Sequence, residues 1–140
     1  SGQAAAKMRE NGFKEVYDDE AVTDATTVKK VLMCSGKIYF DLLERKQKEN
    51  RNDIAIIRLE QIYPLPQNQI DALYKKYTKA IWYWVQEEPL NMGAATFLRM
   101  NVKNINFYII SRQASAATAT GYAKIHAKEQ AEIVDRAFSI

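Results

Sequence analysis

Four short apolar runs, each followed by a segment of helical periodicity, set the tightest limit on what this 140-residue chain can fold into. The runs are residues 28–34 (VKKVLMC), 53–60 (DIAIIRLE), 80–86 (AIWYWVQ) and 106–111 (NFYIIS). They are continuously apolar instead of alternating, as strands are when both sheet faces are covered. After the first run, Ser35 and Gly36 make a turn, and helical spacing then groups Tyr39, Leu42 and Leu43. Asp41 with Arg45, and Glu44 with Lys48, fall at i,i+4 on the wet side. After the second, Pro66 sits at a helix start, where a missing N–H costs nothing. Ile70, Leu73, Tyr74 and Tyr77 follow at i, i+3, i+4 and i+7. A third helix is expected from about Met92, with Ala94, Phe97 and Leu98 grouped, and a last one from about His126, with Ile133, Val134 and Ala137 inward. Strand–helix alternation with short connections predicts an α/β fold, a sandwich with a mostly parallel sheet and right-handed crossovers. The preceding GFKEVYDDE, residues 12–20, is expected to add an edge strand or an extended tail.

The length suits one domain with a full core and hardly two. A net charge of +3, interleaved with acids as in ERKQKENR (44–51), argues against a nucleic-acid partner. The single cysteine, Cys34, excludes an intramolecular disulfide framework and fits a reducing compartment. No apolar stretch approaches the roughly 20 residues that span a bilayer, and no signal peptide is visible, so no membrane role is expected. The opening SGQAAAKM reads as an expression scar or linker over residues 1–8, and the chain as a piece of something longer.

In a parallel sheet, ligands favour the crevice beyond the carboxyl ends of the strands. Four stretches end there. Ser35–Gly36–Lys37 reads either as a structural turn or as an anion site at a helix N-terminus; it lacks the P-loop frame. Arg58 and Glu60 end a buried run, where charge needs a partner, for which a neighbouring loop or another domain is expected. Glu87 and Glu88 are adjacent acids at the end of the Trp-rich run. They read as general acid–base candidates or as acceptors for the amides near Asn91, Met92 and Gly93. Arg112 is the natural mate for one of them. His126, the only histidine, has no matching nucleophile, since Ser35, Ser111 and Ser115 sit in no nucleophile elbow; a capping or interface role is expected. With no GxGxxG, HExxH or CxxC, these residues describe a binding or docking module with no catalytic residue and no metal site.

CSGKIYFDLLERK, IAIIRLEQIYPLP, WYWVQEEPLNMGA and RQASAATATGYAKIHAKEQ, in this order and spacing, resemble the C-terminal end of one family. It is the thiamin-dependent decarboxylating component of 2-oxoglutarate dehydrogenase, and the resemblance runs over about residues 9–140, with 9–27 as a lead-in that packs on the domain 28–140. It implies a transketolase C-terminal-like three-layer sandwich, with about five strands between helices. It also implies a full-length homodimer of the tricarboxylic acid cycle, whose earlier domains hold thiamin diphosphate and magnesium and which passes a succinyl group to a lipoyl-bearing succinyltransferase. The family's GDG…NN diphosphate motif has no counterpart here, so neither cofactor is expected on this segment and the segment alone is expected to be inactive. Gln113 and Thr118 stand where many relatives have proline. Arg58, Glu87, Glu88, Arg112, Ser115 and His126 are then expected to form an interdomain and dimer surface. The alternative is a regulatory crevice in which Lys37, Arg58 and Arg112 bind an anion, nucleotide or acyl-CoA. A 2-oxoadipate-decarboxylating relative is equally compatible. The implied location is the cytoplasm of a bacterium or a mitochondrial matrix.

Overall fold

The structure is a computed structural model that describes residues 14–112 and 122–139, the side chains of 122–125 excepted. Five strands form one sheet: β1 Val16–Tyr17, β2 Lys30–Cys34, β3 Ile54–Leu59, β4 Ile81–Pro89 and β5 Phe107–Arg112. Their spatial order is β1-β3-β2-β4-β5, with β1 antiparallel to β3 and every other pair parallel. Four helices connect or cover them: α1 Ile38–Glu49, α2 Gln67–Lys76, α3 Ala95–Asn101 and α4 Tyr122–Phe138.

Strand alternation assigns each apolar side chain to one of two cores. Val31, Met33, Ala55, Ile57, Trp82 and Trp84 pack with Ile70 of α2 and Leu98 of α3. Leu32, Cys34, Ile54, Ile56 and Val85 pack on the opposite face with Leu42 of α1 and Ile133, Val134 and Ala137 of α4. The result is a three-layer sandwich, and the continuous apolarity of β2 and β3 follows from their place in the middle of it.

Within the stretch 12–20, Val16–Tyr17 form the edge strand, one of the two outcomes expected, before Asp18 and Asp19 turn the chain onto side-chain partners. Other elements differ from the sequence reading. β4 runs through Glu87 and Glu88 to Pro89, with an irregularity in its pairing to β5 after Val85. α4 begins at Tyr122, four residues before the expected start. Arg45 pairs with Glu49 and, across the layer, with Asp135 at 2.7 Å, so the expected Asp41–Arg45 pair is replaced. Asp41 instead accepts from Gln130 of α4 at 2.9 Å.

The lead-in is tied to both helical layers by adjacent acids. Asp18 accepts the Tyr77 hydroxyl at 2.5 Å and pairs with Lys76 on the α2 side. Asp19 accepts Lys46 of α1 at 2.6 Å and the Ile56 amide of β3 at 2.9 Å. Burial, and then the bond to Asp18, raise the Tyr77 phenol well above its ordinary pKa. At the other end of the sheet, Lys30 reaches the carbonyl of Ala137 at 3.0 Å and Arg51 that of Phe138 at 3.0 Å, holding the C-terminus of α4. Among the described residues no helix is long and apolar enough to cross a membrane.

Candidate functional site: the carboxyl-end rim

The carboxyl ends of β2, β3, β4 and β5 lie along one edge of the sheet, and the residues there form the candidate site. After β2, Gly36 adopts φ +76 with open space where a Cβ would stand, so the turn alone selects glycine. Lys37 is the exposed N-cap residue of α1. After β3, Arg58 finds its partner within the strand end: it pairs with Glu60, and its guanidinium stacks over Tyr39 at 5.1 Å and Phe40 at 5.5 Å. Of the two partners expected for this charge, a neighbouring loop or another domain, Glu60 just past the end of β3 supplies the first.

The β4–α3 connection is organised by a residue that sequence reasoning passed over. Gln86 is buried, and its amide nitrogen donates to the carbonyls of Glu88 at 3.1 Å, Pro89 at 2.9 Å and Met92 at 2.9 Å. Its oxygen accepts the Trp84 indole N–H at 2.9 Å and the Ala95 amide, at the start of α3, at 3.0 Å. The helix-start role expected of a carboxylate belongs to this neutral amide. A buried glutamate could not donate to those carbonyls, and an ionised one would face them at a steep desolvation cost. A glutamine ending an otherwise apolar strand, nine residues before a helix start, was the available signal.

The two acids that follow have separate fates. Glu87 accepts the Gln130 side chain of α4 at 2.8 Å. The Glu88 side chain lies back over Gly93, whose backbone has φ +68; a Cβ there would stand 2.7 Å from Glu88 Oε2 and 3.1 Å from Gln86 Oε1. Neither pairs with Arg112, which reaches Glu129 of α4 at 3.2 Å. That correction follows from α4, whose Glu129 and Gln130 lie over the ends of β4 and β5 and take both partners. Arg136 donates to the Ser111 carbonyl. Pro89, Leu90, Asn91, Thr96, Ser111, Arg112 and Arg136 line a groove of about 600 Å³.

His126 sits in the second turn of α4, away from the helix start, and lines a groove of about 440 Å³ between α1 and α4. Ser115 lies outside the described residues. Cys34 is fully buried, and that burial pushes its thiol up to about 12, which leaves it no nucleophilic role at neutral pH. Among the described residues no group of three or more His, Cys, Asp or Glu is placed to hold a metal ion.

The rim is also apolar. Of the seven exposed large apolar side chains among the described residues, three stand on these strand-end connections, Tyr63 (83% exposed), Leu90 (52%) and Met92 (58%), and Phe40 (56%) stands in the first turn of α1 that follows β2.

The fold defines an α/β domain of the doubly covered parallel-sheet class. The chain belongs to the family described as 2-oxoglutarate dehydrogenase C-terminal, whose model matches residues 4–138. It is 41% identical over 137 residues, 90% of its length, to a multifunctional 2-oxoglutarate metabolism enzyme of Mycolicibacterium vanbaalenii. It is 39% identical over 133 residues, 91% of its length, to the 2-oxoglutarate dehydrogenase E1 component of Haemophilus influenzae. The matched region makes up 11% and 14% of those two proteins.

Proposed function

We propose that this chain serves as the non-catalytic C-terminal domain of a 2-oxoglutarate dehydrogenase, an oxidoreductase acting on a 2-oxo acid with thiamin diphosphate and magnesium. Its work is to pack against the earlier domains and the dimer mate so that a composite active site stays closed. The observation that carries this reading is the apolar rim of Phe40, Tyr63, Leu90 and Met92 at the strand ends. The described residues do not fit the cofactor pair: they offer no group of three or more His, Cys, Asp or Glu placed to hold a metal ion. No chemical step is assigned to them. The remaining partners on this reading are the rest of the polypeptide and, through the assembled enzyme, a lipoyl-bearing succinyltransferase.

The test is made on the full-length polypeptide. Replacing Leu90 and Met92 by serine is expected to loosen the dimer, seen by light scattering, and to lower decarboxylation of 2-oxoglutarate. Wild-type assembly and turnover in that variant would remove the docking role.

One observation favours a second reading, regulation. The groove beside Leu90 carries Arg112 and Arg136 over a largely apolar lining, a chemistry suited to an anion with an apolar body such as an acyl-CoA or nucleotide. Calorimetry with acetyl-CoA and AMP decides it: absence of heat at millimolar ligand leaves only the packing role.

A further inference from the structure

The rim contains one carboxylate whose placement is unexplained by the domain itself. Glu88 is half-buried, and among the described residues its side chain has neither an ion pair nor a hydrogen bond, whereas Glu87 beside it is held by Gln130. The loop that carries it is nevertheless held. The backbone on both sides is pinned by the three bonds from Gln86, and Gly93 leaves the space into which the carboxylate folds. Leu90 and Met92 stand exposed on the same loop. A carboxylate presented on a pinned loop within an apolar rim loses its water when that rim is covered, and is then strongly unfavourable unless the covering surface brings a cation.

We infer that Glu88 is the ionic anchor of the docking edge, and that it receives an arginine or lysine from the region of the longer polypeptide that precedes this domain. The inference rests on the docking role proposed above. That region is the committed occupant because the matched relatives are seven to nine times longer than the segment they share with this chain, and charge complementarity requires the surface it presents to be apolar with a basic centre. Glu88 is the acid that selects it, since Glu87 is already engaged and Glu60 is neutralised by Arg58. It is a positioning residue and touches no reacting atom.

The experiment uses the full-length polypeptide with Glu88→Gln, Glu88→Lys, Glu88→Leu and, separately, the Leu90/Met92 serine pair. Two readouts apply: turnover of 2-oxoglutarate, and amide hydrogen exchange across residues 88–95. Glu88→Gln is close in shape and is expected to lower turnover about tenfold with faster exchange; Glu88→Lys is expected to lose ~30-fold or more, consistent with the loss of one partner of a desolvated pair. Glu88→Leu should resemble the glutamine variant. Equal effects of Glu88→Lys and Glu88→Leu, or wild-type behaviour of Glu88→Lys, overturn the anchor. If the serine pair alone loosens the protein, the docking role stands and the anchor falls; if no variant has an effect, both fall. A benzophenone placed on Leu90→Cys identifies the occupant. A cross-link to an Arg- or Lys-bearing peptide of the preceding region supports the assignment, and one to another polypeptide species, to the same rim of a second copy, or none at all, overturns it.

Discussion

Asp19 Oδ2 lies 2.6 Å from Lys46 Nζ, with both side chains more than nine-tenths buried, and the same oxygen accepts the Ile56 amide. One carboxylate thus joins the lead-in, α1 and β3. Breaking a buried pair leaves its partner uncompensated, so Asp19→Ala is expected to cost about 3–5 kcal/mol. Adding Lys46→Met should recover part of that loss by removing the stranded charge, although the Ile56 amide stays unmet. Urea denaturation of the two single variants and the double variant checks the cycle; additive costs would show that the two groups do not act as a pair.

Gln86 and Gly93 form a second unit. Gln86→Ala strands two buried donors, the Ala95 amide and the Trp84 indole, besides three part-buried carbonyl acceptors, and is expected to destabilise by about 2–6 kcal/mol, at about 1–3 kcal/mol for each of the two buried donors. Gly93→Ala is milder, about 1–2 kcal/mol for an alanine at positive φ, because the closest atom is the movable end of Glu88. Thermal unfolding of both variants tests the order, and Gly93→Ala proving the worse would contradict it.

These two units show where the sequence was and was not informative. The strands, the helix faces and the layer order follow from apolar periodicity alone, because burying Leu42, Ile70, Ile133 and the paired tryptophans leaves few alternatives. The boundaries at Pro89 and Tyr122 were missed, since Glu87 and Glu88 look like loop residues until Gln86 and Gln130 engage that stretch. The ion-pair assignments failed for one physical reason. Side-chain partners depend on the rotation of α4 over the sheet, which turns Glu129 toward Arg112 and Asp135 toward Arg45, and periodicity does not specify that rotation to a single residue.

Trp82 and Trp84 occupy the same core but differ at the indole nitrogen. Trp84 donates to Gln86, whereas the buried Trp82 nitrogen has no acceptor among the described residues and its ring meets Tyr74 edge-on at 5.3 Å. Each change to phenylalanine removes similar volume. Trp84→Phe additionally deprives Gln86, so it is expected to cost about 1 kcal/mol more than Trp82→Phe in denaturant titration.

The acid dependence of stability should be traceable to Asp53. Its bond to Arg51 at 2.9 Å holds its carboxyl below the usual aspartate range, with burial opposing. A folded-state pKa below the unfolded value means a contribution fully present above about pH 4 and lost as pH falls through the folded value. Stability is therefore expected to fall from about pH 4 downward, and Asp53→Asn to flatten that limb while lowering stability at neutral pH. An unchanged acid limb in the variant would assign the effect to other carboxylates.

Cys34 supplies a probe for the opening of the sheet. It ends β2 with no exposed surface, its sulfur lies 3.8 Å from the Ile57 carbonyl, and burial pushes its pKa up to about 12. A thiol in that state meets a reagent only after the α1–sheet–α4 core has separated, so labelling by iodoacetamide at neutral pH is expected to track unfolding and not reagent access. Destabilising α1 through Asp19→Ala should accelerate labelling in proportion to its effect on the unfolding constant, while Gly93→Ala should accelerate it less. Rapid labelling of the unaltered protein in native buffer would mean that β2 is reached without unfolding and that the two-face covering of the sheet is incomplete.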